Sequence, residues 1–141
     1  KEMARILKPG GRIIIQEINA SFFTRVIFRL MRHEGYDYGI NVFDENLVCT
    51  DPEDLWSANC AIPNLLFDRT KKFEQELPFL KIIKISYSEF FNFLNSGGVV
   101  AKTISIPLPV WFLGVIKKID DLLAKLFPSI FAMQRQIVLK K

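Results

Sequence analysis

The chain has 141 residues, of which 50% are hydrophobic and 24% charged, the balance of one folded globular domain. A formal net charge of +4 is too small to demand nucleic acid, and no base-recognition motif accompanies it. Cys49, Cys60 and the single histidine His33 lack metal-ligand spacing and no secretory signal precedes them, so no metal is expected and the thiols read as reduced, in a cytoplasmic protein.

Met3, Ile6 and Leu7 recur at helical spacing, and Pro9 drives Lys8 out of the helical region, so a first helix ends there. Gly10 supplies the positive φ that a type II turn after proline requires. The β-branched run Ile13 to Ile15 is unbroken rather than alternating. It predicts a parallel strand covered on both faces, and a helix followed directly by such a strand predicts an α/β layer architecture.

Phe22, Phe23, Val26, Ile27, Leu30 and Met31 then form a helical stripe, with Arg25, Arg29, Arg32 and His33 on the other side. This basic amphipathic helix suits either an anionic lipid or phosphate-bearing surface, or a lid whose apolar face packs on the domain. Residues 34–49 hold glycines, asparagines and Tyr36 and Tyr38 without periodicity, so they read as loop. A helix starts at Asp51 as N-cap with Pro52 in its first position, and Pro63 interrupts it. Another runs from about Asn64 to Glu76, buries Leu65, Leu66 and Phe73, and is closed by Pro78.

Phe79 to Tyr87 is the next strand, with Ile82, Ile83 and Ile85 set between lysines, and Val138 and Leu139 mark a last one. About forty residues lie between them, too many for a hairpin, so Glu89 to Ala132 forms structure of its own. Within it Phe112, Val115, Ile116, Ile119, Leu122, Leu123 and Leu126 recur at spacings of three and four, whereas Lys117, Lys118, Asp120, Asp121 and Lys125 fall elsewhere. The apolar run Ile104 to Ile116 contains Pro107 and Pro109 and is too short to span a bilayer. Together with Phe90, Phe91, Phe93 and Trp111 this insertion suits a cover over an oily ligand, a contact with a membrane interface, or a small additional core.

Arg5-Ile6-Leu7-Lys8-Pro9-Gly10-Gly11-Arg12 resembles the class I S-adenosylmethionine-dependent methyltransferases, in which such a turn leads into the fifth strand of a Rossmann-like sheet. The close likeness covers about residues 1–18, and the later strand order is similar to two closing strands that lie antiparallel beside the fifth. The resemblance implies an α/β fold in which residues 1–141 are the C-terminal part of a Rossmann-like methyltransferase sheet, with 89–132 as a helical insertion between the last two strands. It also implies a methyltransferase acting on a small or lipid-like acceptor. The family's glycine-rich first loop and the acidic end of its second strand have no counterpart, so S-adenosylmethionine would be bound mainly by sequence missing from this chain, which alone would be inactive.

Ligands of open parallel sheets sit beyond the carboxyl ends of the strands, which points to Glu17 and Asn19 as acceptor-binding residues or, equally, as strand-end caps. His33 is the catalytic candidate, since an imidazole can take a proton from an acceptor hydroxyl; a lone histidine at a helix end also suits the exposed carbonyls there. Tyr36, Tyr38 and Trp56 are candidates for a substrate pocket wall, or packing anchors. The alternative of another class is a non-catalytic module that binds lipid or protein through its amphipathic helices, peripheral to a membrane.

Overall fold

The computed structural model describes residues 1–31, 34–44, 46–47, 53, 58–97 and 104–141. In chain order its elements are α1 (Glu2–Ile6), β1 (Arg12–Ile18), α2 (Phe22–Leu30), α3 (Ile62–Phe67), α4 (Thr70–Glu76), β2 (Lys81–Ser88), α5 (Phe91–Asn95), α6 (Val110–Leu126) and β3 (Gln134–Lys140). The architecture is mixed α/β. Its three strands form one antiparallel sheet in the order β1-β3-β2, so the last strand lies in the middle.

The opening turn forms as its residues dictate. Gly10 has φ +76° and the Gly11 N–H donates to the Lys8 carbonyl at 2.9 Å, closing the turn through which α1 feeds β1. A Cβ on Gly11 would meet the Leu7 side chain at 2.8 Å and the Lys8 carbonyl at 2.9 Å, so the second glycine is required for closeness. From the far end of the chain, the Lys141 ammonium donates to the Ala4 and Leu7 carbonyls at 2.7 and 2.8 Å, satisfying the end of α1.

The expectation of a parallel strand covered on both faces is corrected. β1 pairs antiparallel with β3, and Ile14 is 67% exposed while Ile13 is buried and Ile15 half-buried. An unbroken apolar run cannot distinguish a strand enclosed on both sides from one with a single covered face. Register places Ile13 and Ile15 beside Leu139 and Ile137, and those beside Ile82 and Ile85. Phe67 of α3, Phe73 of α4 and Ala4 of α1 complete this core.

Ile82 and Ile85 would point to opposite faces of a regular strand. A bulge between Ile82 and Lys84 leaves Ile83 as the extra residue, 51% exposed, and returns Ile85 to the core side. The Lys-Ile-Ile-Lys-Ile pattern is thus the pattern of a bulged strand.

The helical segments differ from expectation in three ways. Pro63 occupies the first turn of α3 instead of breaking a helix, because its fixed φ suits that position, and residues 64–76 divide at Asp68 and Arg69 into α3 and α4. On α2 the buried side chains are Thr24 and Phe28, while Phe22, Val26 and Leu30 of the expected stripe are exposed. On α6 the buried side chains are Asp120 and Ala124, and most of its apolar periodicity faces outward. The helix start expected at Asp51 and Pro52 lies outside the described residues. Among the described residues no helix is long and apolar enough to cross a membrane.

Candidate functional site

Along the covered sheet face, chemistry changes from apolar to polar. Alternation in β3 puts Arg135 on the same face as Ile137 and Leu139, and its register partners are Glu17 on β1 and Tyr87 on β2. This polar end lies where β1 leaves the sheet. There Asn19, Ser21, Arg25, Tyr38, Asp68 and Arg135 help to line a cavity of about 280 Å³.

Arg135 is 1% exposed, so its charge requires partners on every side. Nη1 donates to Asp68 Oδ1 at 2.8 Å and to the Pro63 carbonyl at 3.2 Å. Nε donates to Asn19 Oδ1 at 3.1 Å, and Nη2 donates to the same oxygen. The Tyr87 ring lies beneath the guanidinium, 5.4 Å from its carbon to the ring centre.

Asn19 holds the other half of the knot. Its amide nitrogen donates to the Ala132 and Pro128 carbonyls at 2.8 and 3.0 Å, fixing the chain that enters β3. Asn64 Nδ2 donates to Asp68 Oδ2 at 3.0 Å and to Asn19 Oδ1 at 3.3 Å, while its Oδ1 accepts the Ala20 N–H at 2.9 Å. Ser21 caps α2 by accepting the Thr24 N–H at 3.3 Å. The contacts of Asn19 and Arg135 join segments distant in sequence, which stiffens the pocket wall.

Of the residues singled out from sequence, Asn19 and Tyr38 meet in this pocket. The Tyr38 hydroxyl donates to the Ala20 carbonyl at 3.4 Å, and burial raises its pKa, with Arg25 acting in the opposite direction. Glu17 does not join them. It lines a separate cavity of about 460 Å³ beside β1, together with Glu34 and Cys60. The Tyr36 ring lies 5.9 Å from the Arg25 guanidinium carbon and lines neither cavity. His33 and Trp56 lie outside the described residues.

Arg135, Asp68, Asn64 and Tyr87 were not foreseen. A signal for Arg135 was present, since Arg135, Ile137 and Leu139 alternate at the strand period and a cation on that face must be buried. Asp68 had none, because its value depends on where α3 ends.

Asp68 is neutralised by Arg135, and the thiol of Cys60 lies elsewhere and is pushed up to about 11, chiefly by burial and then by Glu34. Fixed amide and hydroxyl groups stand with the Arg25 side chain around a small cavity, a setting for a polar group. Among the described residues no three His, Cys, Asp or Glu side chains gather as metal ligands. No protein-family profile, no curated protein and no solved structure matches the chain.

Proposed function

We propose that this chain is the closing part of a Rossmann-like S-adenosylmethionine-dependent methyltransferase sheet and acts on a small or lipid-like acceptor. The observation that carries the reading is the strand order. A Lys8–Gly11 turn feeds β1, β3 inserts antiparallel between β1 and β2, and a helical excursion separates β2 from β3. The resembled family closes its sheet with strands antiparallel beside the fifth, and β3 lies so beside β1.

The residues of this chain do not by themselves fit the cofactor. Arg135, Asn19 and Asp68 are bonded to one another, and the chain has no glycine-rich loop. On this reading the cofactor, whose sulfonium supplies the methyl group, is held by sequence outside the chain. The pocket's part is to fix an acceptor's polar group near Tyr38, since methyl transfer depends on alignment of the nucleophile more than on a specialised base.

The test is calorimetric titration of S-adenosylmethionine into the protein encoded by the whole gene. Saturable binding, with none to residues 1–141 alone, is the expected result. A folded full-length protein that takes up no cofactor overturns the proposal.

A further inference from the structure

Helix α6 has three sectors rather than two. At about 100° per residue, Leu113, Ile116, Asp120, Leu123 and Ala124 share the side that is buried or half-buried, where α6 meets α5 and β2. Lys117, Asp121, Lys118 and Lys125 share a polar sector. Between the two, Trp111, Phe112, Val115, Ile119, Leu122 and Leu126 form a third sector that is apolar and exposed along the whole helix.

This surface is held in place and extends beyond α6. Before the helix, Asn95 clamps Ile106 by donating to its carbonyl at 3.1 Å and accepting its N–H at 2.8 Å, which holds the exposed Ile106 beside Pro107 and Pro109. After the helix, the Phe127, Phe131, Phe23 and Phe22 rings contact one another in succession at 6.4, 5.3 and 5.4 Å between centres. That ladder leads to α2, where Phe22, Val26 and Leu30 form a second exposed stripe.

We propose that the outer face of α6, continued through the phenylalanine ladder to α2, docks on an anionic lipid bilayer. Charge selects this occupant. Lys118 and Lys125 border the α6 stripe and Arg29 borders that of α2, so cations lie where lipid phosphates would meet the edge of an inserted apolar face. Trp111, 73% exposed at the amino end of the helix, has the amphipathic ring favoured at headgroup level. An α6 of 17 residues is about 25 Å long and is anchored along one side by the protein, so it lies in the interface instead of crossing it. The proposal rests on these faces alone and is independent of methyl transfer.

The test is flotation of the chain with phosphatidylcholine vesicles, with and without phosphatidylglycerol. The chain is expected to float with the anionic vesicles and to be released by salt. Fluorescence of Trp111 in a Trp56→Phe background is expected to shift to the blue on binding. Trp111→Ser with Leu122→Ser should weaken binding by about tenfold or more with an unchanged circular dichroism melt, because both side chains are exposed. Lys118→Gln with Lys125→Gln should weaken binding to anionic vesicles by about fivefold per lysine and leave neutral vesicles unaffected. A chain that stays in the soluble fraction with anionic vesicles overturns the proposal. So does sedimentation showing a dimer that Leu122→Ser converts to monomer, since the occupant is then a second copy.

Discussion

Arg135 and Leu122 invert the ordinary distribution of side chains: the cation is 1% exposed and the leucine 56%. Around Arg135 each guanidinium nitrogen finds an oxygen of the protein, and the order of three distant segments depends on that agreement. Leu122 keeps more than half of its surface in water among the described residues, although the helix that carries it is regular from Val110 to Leu126. Polarity therefore does not decide what is structural in this molecule. Partner count does: the buried polar knot determines the fold, whereas the apolar stripe is free to serve something outside it.

That contrast can be broken first at its strong end. Arg135→Met removes the cation and leaves Asn19 and Asp68 without their main partner, so urea denaturation should report a loss of about 2–4 kcal/mol. A midpoint unchanged from the parent would mean that the knot is ornamental. Asp120→Ala comes next. Buried Asp120 accepts the Asn92 N–H at 2.9 Å and so caps α5, which has no side-chain cap of its own, from the neighbouring helix. Thermal melting should show a cost of about 1 kcal/mol, largely restored in Asp120→Asn.

Cys60 sharpens the comparison through pH. Its thiol titrates at about 11 in the folded chain against an ordinary 9.0, so the folded state retains the proton longer than the unfolded state does. The stability it contributes is complete below pH 9 and is lost as pH rises towards 11. The gap in stability between the parent and Cys60→Ala should narrow over that window in denaturant titrations, and a gap that widens would contradict the buried neutral thiol. At the weak end, Leu122→Ser should alter the denaturation midpoint by less than the equivalent of about 0.5 kcal/mol, because an exposed leucine has no core contacts to lose.

Local rules were sufficient where neighbours in sequence are also neighbours in space. The Pro9 stop, the Gly10 turn and the helical period of α6 follow from such rules, and all three appear in the structure. The same rules could not tell which side of α6 is covered, because Ile116 and Ile119 look alike until β2 and α5 are placed. They failed for Ile14 for the same reason. The pocket was half legible: strand-end logic reached Asn19, and the loop aromatics included Tyr38. Asp68 acquires its role only when α3 ends within reach of Arg135, a distance of 67 residues along the chain.

The bulge in β2 has a consequence for how this sheet can change length. Excision of a residue from a paired strand normally turns every later side chain to the wrong side. Here Ile82 already faces Leu139 and Lys84 already faces Val138, with Ile83 spliced in between. Deletion of Ile83 alone would straighten the ribbon and leave every other pairing intact, so this one position can absorb an in-frame indel without reshuffling the lamina around it.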